Sequence, residues 1–196
     1  MLKKKSSHWE KYYLAKEGKV SPLLKTCLEL TKKTGIAYDL GCGAGGDSFY
    51  LSGLDWQVNA VDNEVGSINF IKSRMSDTDK IKLEQVSIHE LRMKEADLVF
   101  ASASLPFLNH DHFQEALSII YKGLKNDGVF AGLVFGTKDD WANSDGMTFL
   151  SQNSFISMID PYDILYFDEV VEVRPSAQGE LKQWHLYYFI LKKIKS

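Results

Sequence analysis

Short apolar runs alternate with stretches whose apolar residues recur at helical spacing through most of the 196 residues. Ser21-Pro22 is an N-cap followed by proline at the first helical position, and Thr34-Gly35 closes that helix. A strand is predicted over 36–40, a helix over 47–52 stopped by Gly53, and a strand over 56–61 ending on Asp62-Asn63. A helix over 66–75 then leads to strands at 81–86 and 96–101. Asn109 or Asp111 caps a helix reaching Gly123, and residues 125–128 form a turn into a strand at 129–135. After a helix at 151–159, the runs 162–173 and 183–192 are β-rich with no helix between them, so they should pair antiparallel. The expectation is an α/β domain of three layers, built on a seven-stranded, mostly parallel sheet that ends in an antiparallel C-terminal hairpin. One domain spans 1–196, with an N-terminal helical lid at 1–20, a ligand-binding core at 36–135 and the hairpin at 162–192.

The turn after the first strand carries the most chemistry. Residues 39–47 read Asp-Leu-Gly-Cys-Gly-Ala-Gly-Gly-Asp, and Gly41, Gly43 and Gly46 satisfy the spacing of a dinucleotide loop. That spacing suggests a Rossmann-like sheet and leaves an NAD-dependent oxidoreductase as one reading. The charges favour another. A pyrophosphate needs the positive end of the following helix with no anion nearby, whereas Asp39 precedes the first glycine and Asp47 opens the helix. Two carboxylates there repel a diphosphate and welcome the ammonium group of S-adenosyl-L-methionine. Asp62, 23 residues after Asp39, ends the second strand at the spacing of an acid that accepts from ribose hydroxyls. Asn63 lies beside it. Gly41 and Gly43 admit the methionine part of the cofactor where a Cβ would intrude; Cys42 is a small side chain within the turn.

Other candidates lie at strand ends. Ile88 and His89 follow the third strand, where an adenine pocket would lie, with Ile88 packing on the base; His89 reads equally as a loop residue. Ala101 ends the fourth strand beside the position of the transferred methyl, and the small-residue loop after it runs into Leu-Pro-Phe, with Phe107 as an apolar wall. Asp140 and His185 are candidates for general base, and Trp141 and Trp184 for the acceptor's surroundings. His185 also has a structural reading. Trp9, Tyr12 and Tyr13 form an aromatic start that either closes over the cofactor or packs outside the domain. The five histidines and two cysteines have no metal-ligand spacing in sequence, although isolated ligands could converge in space.

Composition narrows the partners. A net charge of −3 gives no reason to expect nucleic acid, and the longest apolar run, 129–135, is too short to span a bilayer. Lys3, Lys4 and Lys5 at one end and Lys192, Lys193 and Lys195 at the other read as solvated termini. No apolar segment follows the first lysines, so a cytoplasmic monomer or homodimer is the expectation.

With these residues in hand, the chain resembles the class I S-adenosylmethionine-dependent methyltransferases. Residues 39–45 match the family's first motif, 58–62 its second and 96–101 its strand-four motif. Residues 124–130 resemble the turn before strand five, with Asn126-Asp127 where proline and glycine usually stand. Within the class the chain looks like the small branch that includes tellurite-resistance and thiopurine methyltransferases. Ser87 stands where many relatives carry an acid, a departure that bears on the adenine contact. The resemblance implies in-line methyl transfer to a small-molecule acceptor, with cofactor-binding roles for Asp39, Gly41, Gly43, Asp62, Ile88, His89 and Ala101. A methyltransferase-fold protein that binds without catalysis is the further alternative.

Overall fold

A computed structural model describes residues 13–14, 17–31, 34–176 and 179–194. Among the elements bounded within these residues, five α-helices, α1 (Pro22–Thr31), α2 (Gly46–Gly53), α3 (Val65–Lys72), α4 (His110–Gly123) and α5 (Gln152–Ile159), alternate with eight strands. These are β1 (Ile36–Leu40), β2 (Gln57–Asp62), β3 (Ile81–Gln85), β4 (Ala96–Ala101), β5 (Leu124–Gly136), β6 (Phe149–Leu150), β7 (Tyr162–Pro175) and β8 (Leu181–Lys193). The sheet order is β3-β2-β1-β4-β5-β8-β7, with β6 pairing β5 off this path. β8 alone among the long strands runs against its neighbours, antiparallel to β5 and to β7.

Helices cover both faces. Leu24 and Cys27 of α1, Leu51 of α2 and Ile71 of α3 bury against Ala37, Ala60, Leu98 and Phe100. On the other side Phe113 and Ile120 of α4 and Phe155 of α5 bury against Tyr38, Leu40, Val99 and Phe130. Neighbouring residues of β1 and β4 thus point into opposite cores, which is why those strands, apart from Asp39 and Asp97, are apolar without alternation. Among the described residues, no helix is long and apolar enough to cross a membrane.

Three details differ from the sequence expectation. The sheet has eight strands, because the two-residue β6 adds to β5 through Phe135–Phe149 and Gly136–Leu150. Residues 125–128 lie within β5 rather than before it. Ala96 pairs with Leu124 but Leu98 with Val129, so the intervening residues bulge out, with Asp127 at φ 60°. The lid proposed over 1–20 falls outside the described residues except at its end, where buried Tyr13 meets Phe70 of α3 with ring centroids 5.5 Å apart.

β7 is an edge strand with an open hydrogen-bonding rim. Ile164, Val171 and Val173 are exposed along it, interspersed with Asp163, Asp168, Glu169 and Glu172. In the sheet's centre Gly132 of β5 has no room for a side chain: a Cβ there would lie 2.4 Å from the Ala101 carbonyl oxygen. Backbone cannot swing aside as a side chain can. Gly132→Ala is therefore expected to destabilise the fold by about 1–3 kcal/mol, read as a lower urea midpoint; an unchanged midpoint would contradict this packing.

Candidate functional site

The carboxyl ends of β1 and β2 are joined by backbone and carboxylate contacts. The Gly41 and Cys42 N–H groups both donate to the Val61 carbonyl, at 2.7 and 3.0 Å. Gly41 has φ +74° and Gly43 φ +52°, left-handed values that a side chain disfavours. At Gly41 a Cβ would also fall 2.3 Å from the Ser104 Cβ. Ser104 is held there because its hydroxyl donates to the Leu40 carbonyl at 2.6 Å. Asp62 accepts from the Gly43 N–H through one oxygen and the Glu64 N–H through the other, each at 2.9 Å. Ser67 completes the cradle by donating to the Gly43 carbonyl at 2.6 Å.

Asp39 lies beneath this loop, 3% exposed, with the Ser48 hydroxyl donating to it at 2.6 Å. Its carboxyl is pushed up to about 8, mainly by burial. The negative charges of Asp47 and Asp62 add to that, and the Ser48 hydrogen bonds oppose it. Asp47 itself accepts the Ser21 N–H at 2.7 Å, fastening the segment before α1 to the start of α2. Among the described residues no lysine, arginine or histidine forms an ion pair with Asp39 or Asp62. Burial, joined by Asp39 and Asp62, also raises the Cys42 thiol well above its ordinary range, so it is no thiolate nucleophile. An acid-lined cradle with glycine backbone at its mouth fits a cationic ligand and repels a diphosphate.

The methyltransferase domain family matches residues 37–128, the stretch from β1 through the β5 bulge. The carboxy-S-adenosyl-L-methionine synthase of Shewanella piezotolerans is 31% identical over 99 residues, covering 47% of this chain and 41% of that enzyme. The chain thus matches the methyltransferase domain family over just under half of its length. Its fold is that of TehB from Haemophilus influenzae, with a TM-score of 0.75 at 16% identity over 89% of this chain and 62% of that one. It is also that of the Burkholderia thailandensis 1,6-didemethyltoxoflavin-N1-methyltransferase solved with its substrate and S-adenosylhomocysteine. There the TM-score is 0.66 at 18% identity, over 89% of this chain and 77% of the other. The chain thus spans less than two thirds of both the synthase and TehB.

Within the matched stretch, Asn63 is exposed beside Asp62, Ile88 is buried in the 3-10 turn after β3, and Ala101 is fully buried at the end of β4. His89 is half-buried, its ring lying flat on His112 of α4. At the carboxyl end of β5 a cavity of about 460 Å³ is lined by His110, Thr137, Asn143, Met147, Thr148 and Phe149. The loop forming it is tied to the β4–α4 connection by two bonds from Thr148. Its N–H donates to the Pro106 carbonyl at 2.9 Å and its hydroxyl to the Leu108 carbonyl at 2.8 Å. His110, exposed at the start of α4, follows the cap Asn109 directly at the end of the loop leaving β4.

The expected catalytic and acceptor residues are arranged differently. His185, 1% exposed, has both ring nitrogens engaged: Nδ1 accepts the Lys138 N–H at 3.0 Å, so Nε2 carries the proton and meets Glu169 at 2.9 Å. Both ring nitrogens thus have partners within the fold. His185 sits over Gly136, where a Cβ would fall 2.1 Å from Nδ1. Asp140 is likewise used by the fold, accepting the Gln183 N–H at 2.7 Å. Trp141 and Trp184 do not line the cavity. They enclose the Lys182 ammonium at 3.5 and 3.9 Å from their ring centroids, and that ammonium is paired with buried Asp139. Burial lowers the Lys182 pKa against the pull of Asp139. Phe107 is exposed, edge-on to Phe135 at 5.9 Å.

Asp39 makes stability pH-dependent. The unfolded chain protonates this residue only below about pH 4, the folded one below about 8. Between those values the native state holds the extra proton, so its stabilising effect is complete below pH 4 and lost as pH rises through 8. Asp39→Asn, neutral throughout, is expected to lose that slope: its stability relative to the parent rises from pH 5 to pH 8 in urea denaturation. A constant difference would refute the raised carboxyl.

Proposed function

We propose that this chain is an S-adenosyl-L-methionine-dependent methyltransferase acting on a small molecule held in the β5-end cavity. The observation that carries the reading is the pair Asp39 and Asp62 converging on the glycine turn with no protein cation paired to either among the described residues. The shared S-adenosylmethionine chemistry in the names of the synthase and the toxoflavin enzyme supports the same cofactor.

Asp39 holds the cationic amino-acid head, and ionises as that positive charge arrives. Asp62 spends one lone pair of each oxygen on Gly43 and Glu64, which leaves acceptor capacity for two ribose hydroxyls. Ile88 supplies an apolar wall for adenine, with Ala101 closing the floor. When bound, the cofactor supplies a methyl group already activated by its sulfonium charge. The protein's part is to align an in-line acceptor and exclude water. Thr137, Asn143 and Thr148 offer it polar contacts. Among the described lining residues His110 alone is ionisable, so it takes the proton from an oxygen or nitrogen acceptor; a thiol or chalcogen anion needs no base.

Calorimetry with S-adenosylhomocysteine tests the cofactor site. Asp62→Ala is expected to weaken binding by about 1–3 kcal/mol, through lost charged hydrogen bonds, and Asp62→Asn by less, because it keeps one acceptor. NAD is expected to give no thermal stabilisation. Stabilisation by NAD and none by S-adenosylhomocysteine would overturn the assignment. Turnover of labelled cofactor against a broad metabolite panel tests the activity, and binding without turnover would point to a non-catalytic role.

A further inference from the structure

We propose that His89, His112 and Glu115 form a binding site for a first-row divalent transition-metal ion of the zinc type, clamping the turn after β3 to α4. One ligand atom from each residue lies within 4.8 Å of the others. His112 and Glu115, three apart on α4, share one helix face. His89 reaches them from the turn Ile88–Glu90. The two imidazoles lie parallel, centroids 3.6 Å apart with 4° between their planes.

The surroundings of His89 suit ligation. Its Nδ1 is 2.7 Å from the Ser87 hydroxyl, which can accept from an Nδ1–H and so leave the Nε2 lone pair for a metal. Metal-binding histidines use an outer contact of this kind to fix tautomer and ring direction. His112 is anchored in turn, because the Asn109 side chain accepts its backbone N–H at 2.9 Å.

Two nitrogens and one carboxylate favour zinc, cobalt or nickel over magnesium and calcium, which take oxygen ligands. Bond lengths of about 2.0–2.2 Å require the three donors to draw together and the rings to hinge out of parallel, since an ion lies in the plane of each imidazole. Histidine χ2 and glutamate χ3 are broad torsions that allow this. Three protein ligands leave a position for water. The ion would link His89, next to buried Ile88, to the first turns of α4. This inference does not depend on methyl transfer.

The test is calorimetric titration of Zn²⁺ into chelator-treated full-length protein, with Co²⁺ absorption reporting the ligand set. One ion per chain is expected, with at least tenfold weaker binding in His112→Gln and in Glu115→Gln, and a changed Co²⁺ spectrum in each. Glu115 is exposed, so its variant keeps the fold if His112→Gln does not. Absence of stoichiometric binding, or Zn²⁺ affinity unchanged in a folded variant, would overturn the site.

Discussion

A carboxyl group sealed beneath a glycine turn, among other acids and with no cation paired to it among the described residues, is the constraint on which this structure depends. Burial of a lone charge is costly, and Asp39 meets that cost by holding its proton to about pH 8. The turn above it is shaped accordingly. Left-handed glycines aim N–H groups at Val61 and at Asp62, so the second acid is drawn to the same mouth.

The opposite wall is built from the end of β5 and its pairing with β8. Lys182 and Asp139, both buried, are packed under Trp141 and Trp184, and Asp139 also accepts the His185 N–H at 3.1 Å. His185 then fixes the Lys138 backbone while its Nε2 holds Glu169 on β7. Residues that look catalytic by type thus hold one side of the cavity-forming loop, and Thr148 holds the other.

The parallel core was legible because strands buried on two faces carry nearly continuous apolar runs, as 36–40 and 96–101 do apart from Asp39 and Asp97. The glycine turn was legible because its chemistry is contiguous. What lay beyond the sequence depends on distant pairings. β6 is two residues with no periodicity to detect, and the bulge at 125–128 exists only against the register of β4. His185 looked free because its partners, Lys138 and Glu169, lie 47 and 16 residues away. The trio of His89, His112 and Glu115 spans two elements on one face of the sheet, so no spacing announces it.

Among the described residues β7 leaves one margin of the sheet unpaired, and such a margin is a template on which another chain's strand can grow. Its four acidic residues, the irregularity between Ile164 and Tyr166, and Pro175 at its end all discourage that growth. Yet the acids protect only while ionised. In an acidified medium the same margin would keep its exposed isoleucine and valines while losing its mutual repulsion, and self-association would become the chain's principal hazard.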